Sequence, residues 1–251
     1  MIDTNLHIIT FNIPYPANYG GVIDVFYRLK ALSENSVKIT LHCFEYGREH
    51  RPELEQYCEK VYYYKRDTRW IKQLSALPYI VYSRRHPELL ENLLKDDSPI
   101  LFEGLHTTYY LDHPALANRL KLVRAHNVEH LYYSGLARNT RSLYKKMFFT
   151  LEASRLKRYE PVLEKADYIL ALSTLELAHF ETEYGKDKAV YVPLFTKTPG
   201  ERTDRVKIKP FVLYHGDLST PENQNAVEYL LREVVPINEE IPWVFAGLNP
   251  S

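Results

Sequence analysis

Apolar residues in this chain fall into short dense runs separated by helix-like stripes. The first run, Leu6-His7-Ile8-Ile9-Thr10-Phe11, has the density of a strand buried on both faces. It passes through Pro14-Tyr15-Pro16 to Gly20-Gly21. Val22, Val25, Phe26, Leu29 and Leu32 then recur at helical spacing, which predicts a helix packed on a sheet with Asp24, Arg28 and Lys30 pointing outward. Further strands are expected at 37–44, 61–64, 100–102, 122–125, 168–172 and 189–192. Helices are expected at 52–59, 70–77, 87–94 and 174–184, the last capped by Ser173. Alternating strands and helices imply a parallel sheet covered by helices.

In such sheets ligands sit beyond the carboxyl ends of the strands, where Gly20-Gly21, Glu103-Gly104 and His126-Asn127 all fall. The two glycines leave bare backbone in front of a helix start, whose unpaired N–H groups suit phosphates, carboxylates and sugar hydroxyls. The other reading of Gly20-Gly21 is a tight turn between strand and helix. Residues 196–210 are rich in charge, Pro and Gly and read as an interdomain linker. The pattern then restarts with a strand at 211–215 ending at Gly216, a helix from Pro221 through Ala226, Leu230 and Val234, and a strand at 243–246. The expected organisation is a first domain over 1–195, a linker over 196–210 and the incomplete start of a second domain over 211–251. One strand-helix-strand unit is well short of the roughly 100–150 residues of an ordinary domain.

Composition narrows the classes. Lys+Arg and Asp+Glu are equal at 32 each, so the overall basic footprint of a nucleic-acid binder is missing. Cys43 and Cys58 have neither metal-ligand spacing nor the density of a disulfide framework, which fits a reducing cytoplasm. No run of about 18 apolar residues is present, and the N-terminus enters a strand directly, so neither a spanning helix nor an export signal is expected. The 21 tyrosines can stack on sugars, but their main expected role is half-buried packing.

Four groups of residues carry a family resemblance. They are Pro14-x-Pro16 with Gly20-Gly21, Arg124-Ala125-His126-Asn127-x-Glu129, Leu172-Ser173-x-x-Glu176, and Gly216 with Pro221-x-Asn223-x-x-Ala226. In this order the chain resembles the retaining nucleotide-sugar glycosyltransferases of family 4. The resemblance implies a GT-B architecture: an α/β Rossmann-like domain with a parallel sheet flanked by helices, and a second such domain, here truncated. It implies a nucleotide-sugar donor, a glycan or lipid-linked acceptor, no cofactor and no metal. Gly20 and Gly21 match the family's glycine loop beside the donor phosphates, and Gly216 and Asn223 match donor-side positions of the second domain. His126 matches a histidine facing the donor sugar and is the catalytic candidate, with local backbone satisfaction as its other reading. Glu103, His106, Asn127 and Glu129 are the acceptor-side candidates, although Glu103 and His106 would serve equally as a cap or an exposed loop residue.

The match has gaps. Asp217 and Pro221-Glu222-Asn223 stand where many relatives place basic residues, and the family's Glu-x7-Glu motif would lie beyond Ser251. The chain is therefore expected to carry mainly the acceptor-side half and to be inactive alone. Two alternatives are a non-catalytic binding or assembly subunit and a GT-B sugar-nucleotide epimerase, although no carboxylate set for an epimerase is evident. An NAD dehydrogenase fits less well, because Gly20-Gly21 lacks the spaced third glycine. Residues 138–158, basic and interleaved with apolar positions, predict an amphipathic helix. It would either touch the inner face of a membrane or be a solvated basic face over an ordinary core stripe.

Overall fold

The computed structural model describes residues 4–197, 209–218, 220–238 and 240–247. They form two compact units. The first comprises the described residues up to Tyr132 together with Glu152–Lys197, and the second Tyr133–Leu151 with the described residues beyond Thr198. The bulk of the expected linker, 198–208, lies outside the described residues.

Seven strands make the sheet of the first unit: β1 (Asn5–Thr10), β2 (Lys38–Glu45), β3 (Lys60–Lys65), β4 (Ile100–Glu103), β5 (Lys121–Ala125), β6 (Tyr168–Ala171) and β7 (Ala189–Tyr191). Their order is β3-β2-β1-β4-β5-β6-β7 and every pairing is parallel. Strand order therefore reverses beside β1, and the crevice between the carboxyl ends of β1 and β4 is the topological switch point where ligands bind in open α/β sheets. The helices are α1 (Gly20–Glu34), α2 (Tyr79–Tyr82), α3 (Pro87–Leu93), α4 (Glu129–Asn139), α5 (Leu143–Tyr159) and α6 (Thr174–Tyr184). Val25, Phe26 and Leu29 of α1 pack with Ile8, Ile39, Leu41 and Leu101 of the sheet in one apolar cluster, which fixes the loop ahead of α1 on a rigid base. The Ser173 hydroxyl accepts from the Glu176 amide and caps α6 as the sequence predicts.

Two polar features interrupt this core. Asp24 and Arg28 do not point outward as their spacing suggested: Asp24 is fully buried and Arg28 is 5% exposed. On the β1–β2 side, the Asp96 carboxylate meets His7 Nε2 at 3.0 Å, His7 Nδ1 meets His42 Nε2 at 2.8 Å, and His42 Nδ1 meets the Tyr64 hydroxyl at 2.8 Å. Burial lowers the pKa of His7 and lowers that of His42 much further. Both rings are thus neutral partners in a satisfied chain rather than ligands in waiting.

Several expected helices differ. The 52–59 and 70–77 stretches are short 3-10 turns, Pro52–Gln56 and Trp70–Leu74. In the first the Glu59 amide already bonds the Ile39 carbonyl, so the sheet takes the chain before a helix can extend. The second buries none of its residues, so no packed apolar face holds more turns. The expected 138–158 helix is broken: α4 ends at Asn139, and α5 starts after Ser142, whose hydroxyl accepts from the Lys145 amide. Leu143, Tyr144 and Met147 are 84%, 66% and 67% exposed, so the start of α5 is not an ordinary core stripe. Cys43 and Cys58 are free and buried, and burial pushes both thiols up to about 12. Among the described residues no helix is long and apolar enough to cross a membrane.

The second unit contains β8 (Val212–His215) and β9 (Trp243–Ala246), paired in parallel, with α7 (Pro221–Tyr229) between them in sequence. Their carboxyl ends pass so closely that a Cβ on Gly247, whose φ is +154°, would lie 1.6 Å from the Gly216 carbonyl oxygen. Asn223 accepts from the Tyr214 hydroxyl at 2.9 Å and donates to the Asp217 carbonyl at 2.8 Å, tying down the turn after β8.

Candidate functional site

A buried ionic network spans the carboxyl ends of β1, β4 and β5. Asp24, one turn into α1, accepts from Arg28 Nη1 at 2.8 Å, from Arg124 Nε and Nη2 at 3.1 and 3.0 Å, and from the Phe195 amide at 2.9 Å. Arg28 also donates to Glu103, the last residue of β4, and the other Glu103 oxygen lies 3.0 Å from His126 Nε2. Arg124 extends from β5 to the Val192 and Pro193 carbonyls at 2.6 and 3.0 Å. Asp24, Glu103 and Arg124 are fully buried, so each charge must find its partner within the protein. Burial alone would raise the Asp24 carboxyl, but the Arg28 charge, the Arg124 hydrogen bond and the Phe195 amide together hold it below its usual range.

The network ends in His126, whose side chain is 10% exposed. A carboxylate paired with Arg28 only accepts, so Nε2 donates to Glu103, and in the neutral form of the ring Nδ1 carries the lone pair. Nδ1 has no hydrogen-bond partner among the described residues. A fixed imidazole with a free acceptor nitrogen can take a hydrogen bond, or a proton, from a hydroxyl group.

Phe11, just past β1, packs edge-on against His126 at 5.4 Å and tilted against His106 at 5.5 Å. Its carbonyl accepts from Arg84 Nε and Nη2 at 3.1 and 3.0 Å. Gly104, with φ +70°, lets the chain turn between β4 and His106; a Cβ there would stand 2.9 Å from His106 Nδ1. His106 Nδ1 and Glu129 Oε1 face each other at 3.7 Å, and neither atom has a hydrogen-bond partner. Burial, with the nearby Arg84 and His126, lowers the His106 pKa well below its usual value. Burial raises Glu129 to about 8, against the pull of its hydrogen bond with Asn127 and of Arg84. Both groups are therefore neutral at pH 7, and Glu129 is a hydrogen-bond donor there.

This has a measurable consequence. Between the usual Glu value of 4.5 and about 8, folded Glu129 holds a proton that the unfolded chain has released, so stability falls as pH rises through that window. Glu129→Gln removes the titration. Thermal unfolding should show wild type and variant alike at the acid end of the window and the variant more stable at the alkaline end.

The glycine loop joins this cluster at one residue. A Cβ on Gly21 would lie 2.7 Å from the tip of the Phe11 ring, whereas one on Gly20 meets nothing within 4 Å. Gly20→Ala should leave stability within about 0.5 kcal/mol of wild type. Gly21→Ala should cost about 1–3 kcal/mol by overpacking and shift Phe11 against His126. Denaturant unfolding of the two variants side by side checks this.

The first unit thus brings together His126, Glu103, His106, Asn127, Glu129 and Gly21. Gly216 and Asn223 lie in the second unit, where Asn223 spends its side-chain amide on the turn after β8. Sequence reasoning gave no role to Asp24, Arg28, Arg84 or Arg124. Two signals were legible: an Asp and an Arg four residues apart on α1 just behind the glycines, and the charge of Arg124 within the apolar run 122–125. Asp24, Glu103 and His126 also place one ligand atom each within 4.8 Å of the others. A metal ion there would have to displace buried arginines that already neutralise both carboxylates.

No protein-family model matches the chain. Over 252 residues it is 27% identical to a Klebsiella pneumoniae protein described as an uncharacterized 44.6 kDa protein in the cps region. The match takes in 96% of this chain, which spans 64% of that relative's length. Among solved structures it is similar to UGT71G1 of Medicago truncatula complexed with UDP-glucose, with a TM-score of 0.56 and 9% identity over 99% of this chain and 67% of that one. It is also similar to LpCGTa in complex with UDP, with a TM-score of 0.51 and 13% identity over 98% of this chain and 71% of that one. The fold is of the GT-B type. At these identities the likeness establishes architecture alone.

Proposed function

We propose that this protein takes part in glycosyl transfer from a nucleotide-sugar to a glycan or lipid-linked acceptor in the cytoplasm. The observation that carries this reading is the His126–Glu103 pair, anchored by two buried arginines at the switch point of a GT-B type fold. The reading asks for no nucleophile from the pair. The pair supplies an oriented acceptor nitrogen, and the helix start at Gly20-Gly21 supplies unpaired amides suited to a diphosphate. The UDP-glucose and UDP bound to the two proteins of similar fold are donor-class ligands consistent with this assignment. The relative's location in a cps region agrees with polysaccharide biosynthesis.

The reading includes retention of configuration. His126 then hydrogen-bonds a hydroxyl of the donor sugar while the departing diphosphate guides the acceptor to the same face. The same Nδ1 lone pair, backed by Glu103, favours a second reading in which His126 removes the acceptor proton and the sugar inverts. Proton NMR of the product's anomeric centre, compared with that of the donor, separates them. The same anomer supports retention, the opposite anomer makes His126 a base, and hydrolysis or epimerisation without transfer rejects both.

A further inference from the structure

We propose that this protein docks on an anionic lipid bilayer through the turn Trp70–Leu74. Trp70, Ile71 and Leu74 are 71%, 54% and 69% exposed within five residues, on a turn that buries none of its own side chains. The turn is firmly seated. The Asp67 carboxylate accepts from Arg69 Nε and Nη2 at 2.9 and 2.7 Å and pairs with Lys72 Nζ at 3.3 Å. Lys72 Nζ lies 4.5 Å over the Tyr82 ring, and Arg66 is stacked over Tyr46 and Tyr79 and donates to Ser83 Oγ at 2.8 Å. Large apolar side chains held outward on a braced turn are a built feature, not a frayed end.

Charge identifies the occupant. Lys65, Arg66, Arg69 and Lys72 stand against Asp67 alone over residues 65–74, which suits a negatively charged surface. An indole with two aliphatic neighbours suits the headgroup–acyl boundary. Three exposed side chains on one turn fall far short of the roughly 800 Å² per partner of a stable protein interface, whereas shallow insertion needs no more than this. The start of α5 repeats the chemistry, with exposed Leu143, Tyr144 and Met147 beside Lys145 and Lys146 and no acidic residue anywhere from 130 to 151. The proposal stands independently of the sugar-transfer reading.

The test is vesicle cosedimentation of the whole protein with phosphatidylcholine vesicles, with and without phosphatidylglycerol, at low and high salt. The chain has two tryptophans, so in a Trp243→Phe background the emission of Trp70 reports its own surroundings. Binding to the phosphatidylglycerol vesicles alone, release by salt and a blue shift of Trp70 are expected. The triple variant Trp70→Ser, Ile71→Ser, Leu74→Ser should lose about tenfold or more in binding with an unchanged circular dichroism spectrum. The proposal is overturned by any of three results: no binding to anionic vesicles, binding without a shift of Trp70, or a Trp70 shift that grows with protein concentration in the absence of lipid, which would make a second copy the occupant.

Discussion

Asp24→Ala should destabilise the first unit by about 3–5 kcal/mol, the cost of leaving a buried charge without its partner. Against a typical stability of about 5–15 kcal/mol this is a large share of the total. The size follows from what the carboxylate holds. Without it Arg124, fully buried, keeps only two carbonyls, and Arg28, 5% exposed, keeps Glu103 alone. The Phe195 amide loses its acceptor as well, so the segment from Val192 to Phe195 should loosen with the site. Urea unfolding followed by circular dichroism measures the loss, and hydrogen exchange at Phe195 localises it. A stability change below about 1 kcal/mol would mean that water reaches the arginines and that the network is not a closed one. Replacing Asp24, Arg28, Glu103 and Arg124 together by apolar residues of similar size should restore much of the stability, because a buried ion network seldom outperforms good apolar packing. That variant would fold without a site, which separates what the network does for the fold from what it does for His126.

The second large effect is on turnover. His126→Ala should lower kcat for sugar transfer by about 10²–10⁴, the usual worth of one oriented acid-base or hydrogen-bonding group, with a smaller change in KM for the donor. Glu103→Gln should cost less. Its amide oxygen still accepts from His126 Nε2, but Arg28 loses a charged partner and the imidazole loses the carboxylate that steadies it. Steady-state kinetics of both variants, with unfolding curves to confirm that they are folded, give the split. If Glu103→Gln were as damaging as His126→Ala, the carboxylate itself would be touching substrate.

Much of this architecture was legible before any coordinates. The apolar runs at 6–11, 37–44, 100–102, 122–125 and 168–172 each correspond to a strand, because a parallel sheet covered on both faces leaves its pattern in continuous Val, Ile and Leu. His126, Glu103 and His106 were read as strand-end residues and do meet there, since strand ends converge in any open parallel sheet. What sequence could not show was who neutralises whom. On a helical wheel Asp24 and Arg28 look like a solvated pair, and it is partners distant in sequence, Arg124 and the Phe195 amide on Asp24 and Glu103 on Arg28, that satisfy this face when it turns inward. The neutral Glu129 was equally hidden, because its raised pKa comes from burial and not from sequence neighbours. The break at Thr140–Ser142 went unread because the side chains that stop one helix and start the next are small polar residues common on any exposed helix.

The central claim is that a nucleotide-sugar reacts at His126. The most direct measurement is acceptor-dependent release of nucleoside diphosphate from a panel of nucleotide-sugars, with glycan and lipid-linked acceptors supplied, by the protein as its cells make it, set beside the His126→Ala variant of the same protein. The account predicts consumption of at least one donor by the wild type and its loss, by about 10² or more, in the folded variant. Consumption that survives His126→Ala unchanged, or no consumption of any donor in the panel, would contradict it.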